Sequence, residues 1–215
     1  MALSKVDYNS LNVTAAASKA LKWNSGADGF ETGDVAGSMV LLETQTASSS
    51  GTIDFTSGID STYKEYIFKL IDIHPETDGE DLGFQANAAG GSGYNETITS
   101  TAWRAYNNEN GEGEAVGYRT SEDQAQGTGF QDLIHQSASD EANKNACGTL
   151  HLFDPSNTTF VKHFFFTGNH KGPEAFTRQW FIAGYINTTS ALDEIQFKMS
   201  SGNIDAGTFK LYGVT

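Results

Sequence analysis

Short runs of alternating apolar and polar residues, separated by turn-forming residues, are the feature that most constrains how this chain of 215 residues can fold. Such alternation has the period of a β-strand with one buried face. About ten runs of this kind follow residue 38, and no strand–helix–strand rhythm interrupts them. Glycine, at 23 residues, supplies many of the turns between the runs. We therefore predict an all-β protein, an antiparallel β-sandwich of jelly-roll-like type.

Two stretches carry the strongest strand patterns. YKEYIFKLIDIHP, residues 63–75, is apolar on both faces, which indicates a strand in the middle of a sheet that ends at Pro75. DEIQFKMSSGNIDAGTFKLYGV, residues 193–214, places two alternating runs around a polar turn and predicts a hairpin. In the glycine-rich middle of the chain we expect weaker strands at residues 82–86, 97–106 and 130–136.

The first 37 residues differ from the rest of the chain. Residues 14–21 form a weak helical pattern, which Thr14 would cap, and glycine-rich turns follow. Trp23 and Phe30 are the apolar anchors of this stretch. We predict an N-terminal arm, or docking segment, over residues 1–37 and a β-sandwich domain over residues 38–215, with Trp23 and Phe30 as the docking residues.

Charge and hydropathy exclude several classes of partner. The formal net charge of −14 repels nucleic-acid backbones and anionic membranes. No apolar run approaches the roughly 20 residues that a membrane-spanning helix needs. The first residues lack an apolar core, so we expect no signal peptide and folding in a cytoplasm.

The chain offers few residues in patterns typical of catalysis or metal binding. The single cysteine, Cys147, cannot form an internal disulfide, and we expect it in the core. His151 and His163 lie on adjacent predicted strands, where we expect ordinary sheet residues rather than metal ligands. The carboxylates of the segment 76–83 could bind Ca²⁺ through Asp78, Glu80 and Asp81, although a solvated acidic turn is the favoured interpretation. We predict a protein that is not an enzyme, with no catalytic, cofactor or metal site.

Long loops between residues 82 and 146 are the candidate binding region, because loops on a β-scaffold commonly carry recognition. Three aromatic residues border them. We expect Trp103 in the core, and we take Tyr106 and Tyr118 as candidate receptor-facing residues whose rings could stack on sugars.

Three parts of the chain resemble virion structural proteins of marine tailed phages, including phages of cyanobacteria. They are residues 4–42, which contain ALKWNSGADGFETGD, residues 148–166, GTLHLFDPSNTTFVKHFFF, and residues 183–213, AGYINTTSALDEIQFKMSSGNIDAGTFKLYG. The closing pattern resembles the terminal hairpin of fibre and tail-associated β-sandwich domains. Residues 82–146 lie outside the resemblance.

The resemblance implies a fibre-like or tail-associated virion protein that contributes to host attachment and assembles in the host cytoplasm. Its expected partners are other virion proteins, further copies of itself in a homo-oligomer, with a trimer as one candidate, and a host surface glycan or protein. Trp23 and Phe30 would then dock the arm on the particle. One alternative is a capsid decoration protein that stabilises the head. Another is a polysaccharide depolymerase, which would need a pair of carboxylates in a groove.

Overall fold

The computed structural model describes residues 19–34, 39–136, 141, 143–172 and 175–215. Every regular element in this part of the chain is a β-strand. In chain order the strands are β1 (Lys19–Trp23), β2 (Phe30–Asp34), β3 (Met39–Ser50), β4 (Ile53–Phe55), β5 (Glu65–Pro75), β6 (Leu82–Ala88), β7 (Ile98–Asn108), β8 (Ala115–Tyr118), β9 (Ala125–Gly127), β10 (Gln131–Ile134), β11 (Ala146–Phe153), β12 (Lys162–Lys171), β13 (Phe176–Ile186), β14 (Leu192–Met199) and β15 (Ile204–Val214).

Two antiparallel sheets build the main unit, which spans residues 39–215. The large sheet has the order β3-β15-β5-β11-β12-β13-β7-β8, and β9 also pairs with β7. The small sheet has the order β10-β6-β14-β4. Their inner faces share one apolar core. The predicted all-β, antiparallel β-sandwich is therefore confirmed.

Strand β5 lies in the interior of the large sheet, between β15 and β11, as its sequence predicts. The side chains of Tyr66, Phe68 and Leu70 are fully buried on its inner face. Ile67, on the other face, is also buried. The strand ends at Pro75, which has no N–H to donate to a neighbouring strand.

The predicted hairpin at residues 193–214 is wrong. Strand β14 pairs with β4 and β6 in the small sheet, whereas β15 pairs with β3 and β5 in the large sheet. The turn between them, with Gly202 at a φ of 69°, carries the chain from one sheet to the other. Both strands alternate because each has one inner face, so the same pattern fits a hairpin and a crossing between sheets.

A cluster of five phenylalanine rings joins the two sheets. Phe197 of β14 lies at its centre, with ring centroids 5.3 Å from Phe209 and 5.5 Å from Phe68 of the large sheet. Its ring is 6.2 Å from Phe55 and 6.5 Å from Phe84 of the small sheet. All five side chains are fully buried. Much of the contact between the sheets therefore depends on Phe197.

The N-terminal unit, residues 1–38, contains a two-stranded hairpin. Strand β1 pairs with β2, and Trp23 stacks on its register partner Phe30 with ring centroids 4.3 Å apart. The predicted helix over residues 14–21 is wrong for residues 19–21, which belong to β1, and residues 14–18 lie outside the described part. In the hairpin Leu21 is the register partner of Thr32, and Lys22 forms an ion pair with its partner Glu31 at 3.3 Å.

Cys147 is exposed, so the prediction of a core cysteine is wrong. It follows buried Ala146 on β11 and consequently points to the outer face of the large sheet. Its Sγ accepts a hydrogen bond from the Asp72 backbone N–H at 3.4 Å.

We predict that Phe197→Ala lowers the free energy of unfolding by about 3–5 kcal/mol, because the substitution leaves a cavity between the sheets. The control is Phe165→Ala, since Phe165 is 40 % exposed on the outer face of the large sheet. That substitution should cost about 1 kcal/mol or less. Urea denaturation monitored by tryptophan fluorescence measures both. Equal losses in the two variants would contradict the central position of Phe197.

Candidate functional site

A row of aromatic rings crosses the outer face of the large sheet on five adjacent strands, β8, β7, β13, β12 and β11. We call it the aromatic band. Its members, in that order, are Tyr118, Trp103, Phe181, Phe165 and the pair His151 and Phe153.

Ring contacts join members within each half of the band, and strand register places the two halves side by side. Trp103 stacks on Phe181 with ring centroids 4.0 Å apart and planes 11° apart. His151 stacks on Phe165 at 4.3 Å, and Phe153 lies 5.4 Å from Phe165. Phe181 is the register partner of Thr167, two residues along β12 from Phe165, so the two halves are diagonal neighbours on one face.

The band is unusual for a solvent-facing side of an antiparallel sheet, which is ordinarily polar. Trp103 and Phe165 are each 40 % exposed, and Tyr118 is 53 % exposed. Five strands spaced about 4.8 Å apart make the band about 20 Å long. An exposed apolar patch of this extent is typical of an interaction site.

Five residues beside the band on the same face carry uncharged hydrogen-bonding groups: Thr101, Thr149, Thr167, Asn169 and Gln179. On β5, beside the β11 end of the band, Glu65 and Lys69 add one charge of each sign. Partly exposed rings beside hydroxyl and amide groups suit a sugar, which has an apolar C–H face and a hydroxyl edge.

An open cavity of about 550 Å³ adjoins one end of the band. Phe153 lines it and so belongs to both features. The cavity also contains Asn157, His163 and the 69 % exposed ring of Phe160. Asn157 shapes the wall of the cavity, because its side chain donates a hydrogen bond to Asp154 at 2.9 Å and accepts hydrogen bonds from two backbone N–H groups.

The structure separates the two candidate receptor-facing tyrosines. Tyr118 lies in the aromatic band beside Trp103. Tyr106 has the opposite parity on β7, and its ring contacts Phe176 at 5.7 Å and Arg104 at 5.1 Å. The expectation of Trp103 in the core is wrong. The buried residues of β7 alternate through Ala102, so Trp103 faces outward.

A second feature is a group of ionisable side chains at the β10 edge of the small sheet. We call it the polar cluster: Asp81, Glu122, Asp132 and His135. Nδ1 of His135 lies 3.1 Å from Oδ1 of Asp81, and Nε2 lies 3.2 Å from Oε1 of Glu122. The Glu122 side chain is 1 % exposed and accepts hydrogen bonds from Arg119 and Ser121. One histidine ring thus lies between two carboxylates.

Electrostatics of the polar cluster reflect crowded, partly buried carboxylates. Burial, together with the negative charges of Asp81 and Glu122, raises the pKa of Asp132 to about 7. The contact with Asp81 raises the pKa of His135 despite the opposing effect of burial. Burial also acts to raise the pKa of Glu122, but its hydrogen bonds from Arg119 and Ser121 leave that pKa lowered.

Three members of the polar cluster could hold a metal ion. Ligand atoms of Asp81, Asp132 and His135 all lie within 4.8 Å of one another. Of the three carboxylates considered for Ca²⁺ from the sequence, only Asp81 takes part, and Glu80 instead accepts a hydrogen bond from Ser200 at 2.6 Å. Sequence reasoning missed the other members because they come from separate segments, and no local motif joins them.

His151 and His163, which the sequence predicts on adjacent strands, have different environments. Nδ1 of His151 lies 2.6 Å from Oε1 of Glu65, and its ring belongs to the aromatic band. His163 lies 6.1 Å from the ring of Tyr185 and lines the cavity.

Comparisons with known proteins give no relative for this chain. No protein-family model, no curated protein and no solved structure matches it. Within the described residues, no helix has the length and apolar character to span a membrane. A function for this chain therefore has to be inferred from its own residues.

The burial of His170 on β12 leads us to predict that acid destabilises the fold. Burial, and secondarily the charge of Arg178, lower the pKa of His170 to about 3 from an ordinary 6.5, while the Gln136 backbone opposes this. His135 and Arg104 also lower it. Between pH 6.5 and 3 the unfolded state binds a proton that the folded state does not, so stability falls as the pH falls.

We therefore expect wild-type protein to lose about 1–2 kcal/mol more unfolding free energy than His170→Gln between pH 7.5 and 5. Urea denaturation at the two pH values measures this difference. Parallel losses in both proteins would show that His170 titrates normally in the fold.

Proposed function

We propose that the protein is a structural component of a phage virion, fibre-like or tail-associated, that contributes to host attachment by binding a neutral surface glycan. The observation that carries the binding part of this proposal is the aromatic band. The resemblance of residues 4–42, 148–166 and 183–213 to virion structural proteins supports the virion part.

The composition of the band favours a glycan as its occupant. Stacked pairs such as Trp103 and Phe181 leave apolar ring surface partly exposed, against which the C–H face of a sugar can pack. Neighbouring threonine, asparagine and glutamine side chains can bond hydroxyl groups without adding charge. Because the formal net charge is −14, the chain repels acidic polysaccharides, and a neutral glycan is the expected class.

The open geometry of the band suits a polymer better than a small metabolite. It lies on a sheet face about 20 Å long rather than in a closed pocket, so several sugar units could lie along it. The adjoining cavity near Phe153 and Phe160 could hold one further unit at the end.

We predict that Trp103→Ala and Phe165→Ala each weaken binding to a neutral glycan at least about tenfold. The probe is an array of neutral glucose-, galactose- and mannose-containing glycans, followed by titration of the best one. Val116→Ala is the control, because Val116 is 71 % exposed on the adjacent edge strand but carries no ring. Wild-type protein that binds no glycan, or variants that bind as well as wild type, would overturn the glycan assignment.

Cryo-EM of intact particles tests the virion assignment separately. Density for the chain on the tail or its fibres supports attachment, whereas density over the capsid lattice would make it a decoration protein. A chain that is missing from purified particles would refute both. Shortened glycan products after incubation with the protein would instead indicate a depolymerase.

The N-terminal hairpin gives a further prediction on docking. Trp23 is 61 % exposed although it stacks on Phe30, so its ring is available to a partner. We expect Trp23→Ala to reduce the amount of chain in purified particles, measured by immunoblotting, with no change in the unfolding temperature of the sandwich. Normal incorporation of the variant would contradict docking through this hairpin.

A further inference from the structure

The polar cluster lies at the β10 edge of the small sheet, and the attachment function proposed above makes no use of it. Asp132 lies within β10, His135 directly follows it, and Asp81 directly precedes the neighbouring strand β6. The ladder between β10 and β6 is short and irregular, with a register shift between Asp132 and Ile134. Because few backbone register pairs join β10 to β6, side-chain contacts contribute to the stability of this edge.

The contact between His135 and Asp81 does not satisfy the hydrogen-bonding capacity of the histidine ring. Nδ1 of His135 is shielded from solvent and 3.1 Å from Oδ1 of Asp81, yet the contact lies off the direction of a good ring N–H hydrogen bond. Oδ1 of Asp81 already accepts a hydrogen bond from the Gln136 backbone N–H at 2.6 Å. A buried ring nitrogen in this position lacks a well-aligned partner, and an ion between the two groups would provide one.

Charge also favours a cation at this place. Asp81 and Asp132 face each other's negative charge in a partly buried site, and like carboxylates disfavour each other's ionised forms. Arg119 is already paired with Glu122, at 3.1 Å. His135 is thus the only cationic group among the described residues that the structure pairs with Asp81.

We propose that Asp81, Asp132 and His135 bind one divalent transition-metal ion, with Zn²⁺ as the representative. Two carboxylate oxygens and one imidazole nitrogen form a mixed ligand set that suits this class, and water can complete the coordination. Ca²⁺ and Mg²⁺ prefer oxygen ligands alone. Glu122, 3.2 Å from Nε2 of His135, occupies the position of the outer carboxylate that commonly orients a metal-binding histidine.

The bound ion acts as a clamp. It joins the segment before β6 to β10 and its following residue, and through Glu122 it fixes the loop between β8 and β9. Binding to the folded state alone stabilises the protein by a free energy that grows with the logarithm of the free ion concentration above the dissociation constant.

Calorimetric titration of Zn²⁺ into untagged, chelator-treated protein at pH 7.5 tests the site. We expect saturable binding of one ion per chain and a rise in the unfolding temperature as Zn²⁺ is added. Asp132→Asn and His135→Gln should each lower the affinity at least about tenfold and abolish that rise. Titration with Ca²⁺ should give weaker binding, and preferential Ca²⁺ binding would overturn the assignment of the metal class.

The control is Glu65→Gln, which alters another histidine–carboxylate pair, Glu65 with His151, for which the described residues offer no third ligand. This variant should bind Zn²⁺ as wild type does. Unfolding temperatures in the presence of chelator verify that each variant folds, and Asp81→Asn provides an independent ligand variant. Wild-type protein that binds no Zn²⁺, or binding that survives in Asp81→Asn, Asp132→Asn and His135→Gln, would overturn the proposal.

Discussion

Packing of aromatic side chains between the two sheets is the interaction on which the rest of the structure depends. The ring of Phe197 contacts phenylalanines from both sheets and fixes how the small sheet covers the inner face of the large one. Burial of such rings is the main favourable contribution to folding in a chain with few helix-forming segments. With the inner face fixed, strand alternation assigns every other side chain of the large sheet to the outer face.

The outer face is where this chain departs from an ordinary sandwich. Most antiparallel sheets place polar residues toward solvent, whereas here Trp103, Phe181 and Phe165 form part of one exposed band. Such exposure works against solubility, and the net charge of −14 offsets it by keeping separate molecules apart. The sheet also holds the rings in place, which would lower the entropic cost of the binding proposed here.

The band and the polar cluster depend on different parts of the fold. The band needs only the register of adjacent strands in one sheet. The polar cluster needs the loop carrying Glu122, the segment before β6 and the end of β10 to meet at one edge. The role proposed for the band is recognition, and the role proposed for the polar cluster is to hold the edge of the small sheet.

The sequence by itself determined the fold class, the interior strand β5 with its end at Pro75, and the strands β6, β7 and β10 of the glycine-rich middle, because local alternation and turn residues report which face is buried. It did not predict β8 and β9, which are short and lie in the stretch interpreted as long loops. It could not decide between a hairpin and a crossing at Gly202, since both give β14 and β15 the same alternation. The prediction that Trp103 lies in the core is wrong because it followed from the hydrophobicity of the side chain alone. The alternation of side chains along β7 places Trp103 on the outer face. Only the tertiary structure decided that Asp81, Asp132 and His135 meet, because contacts between distant segments depend on sheet packing and leave no local periodic signal.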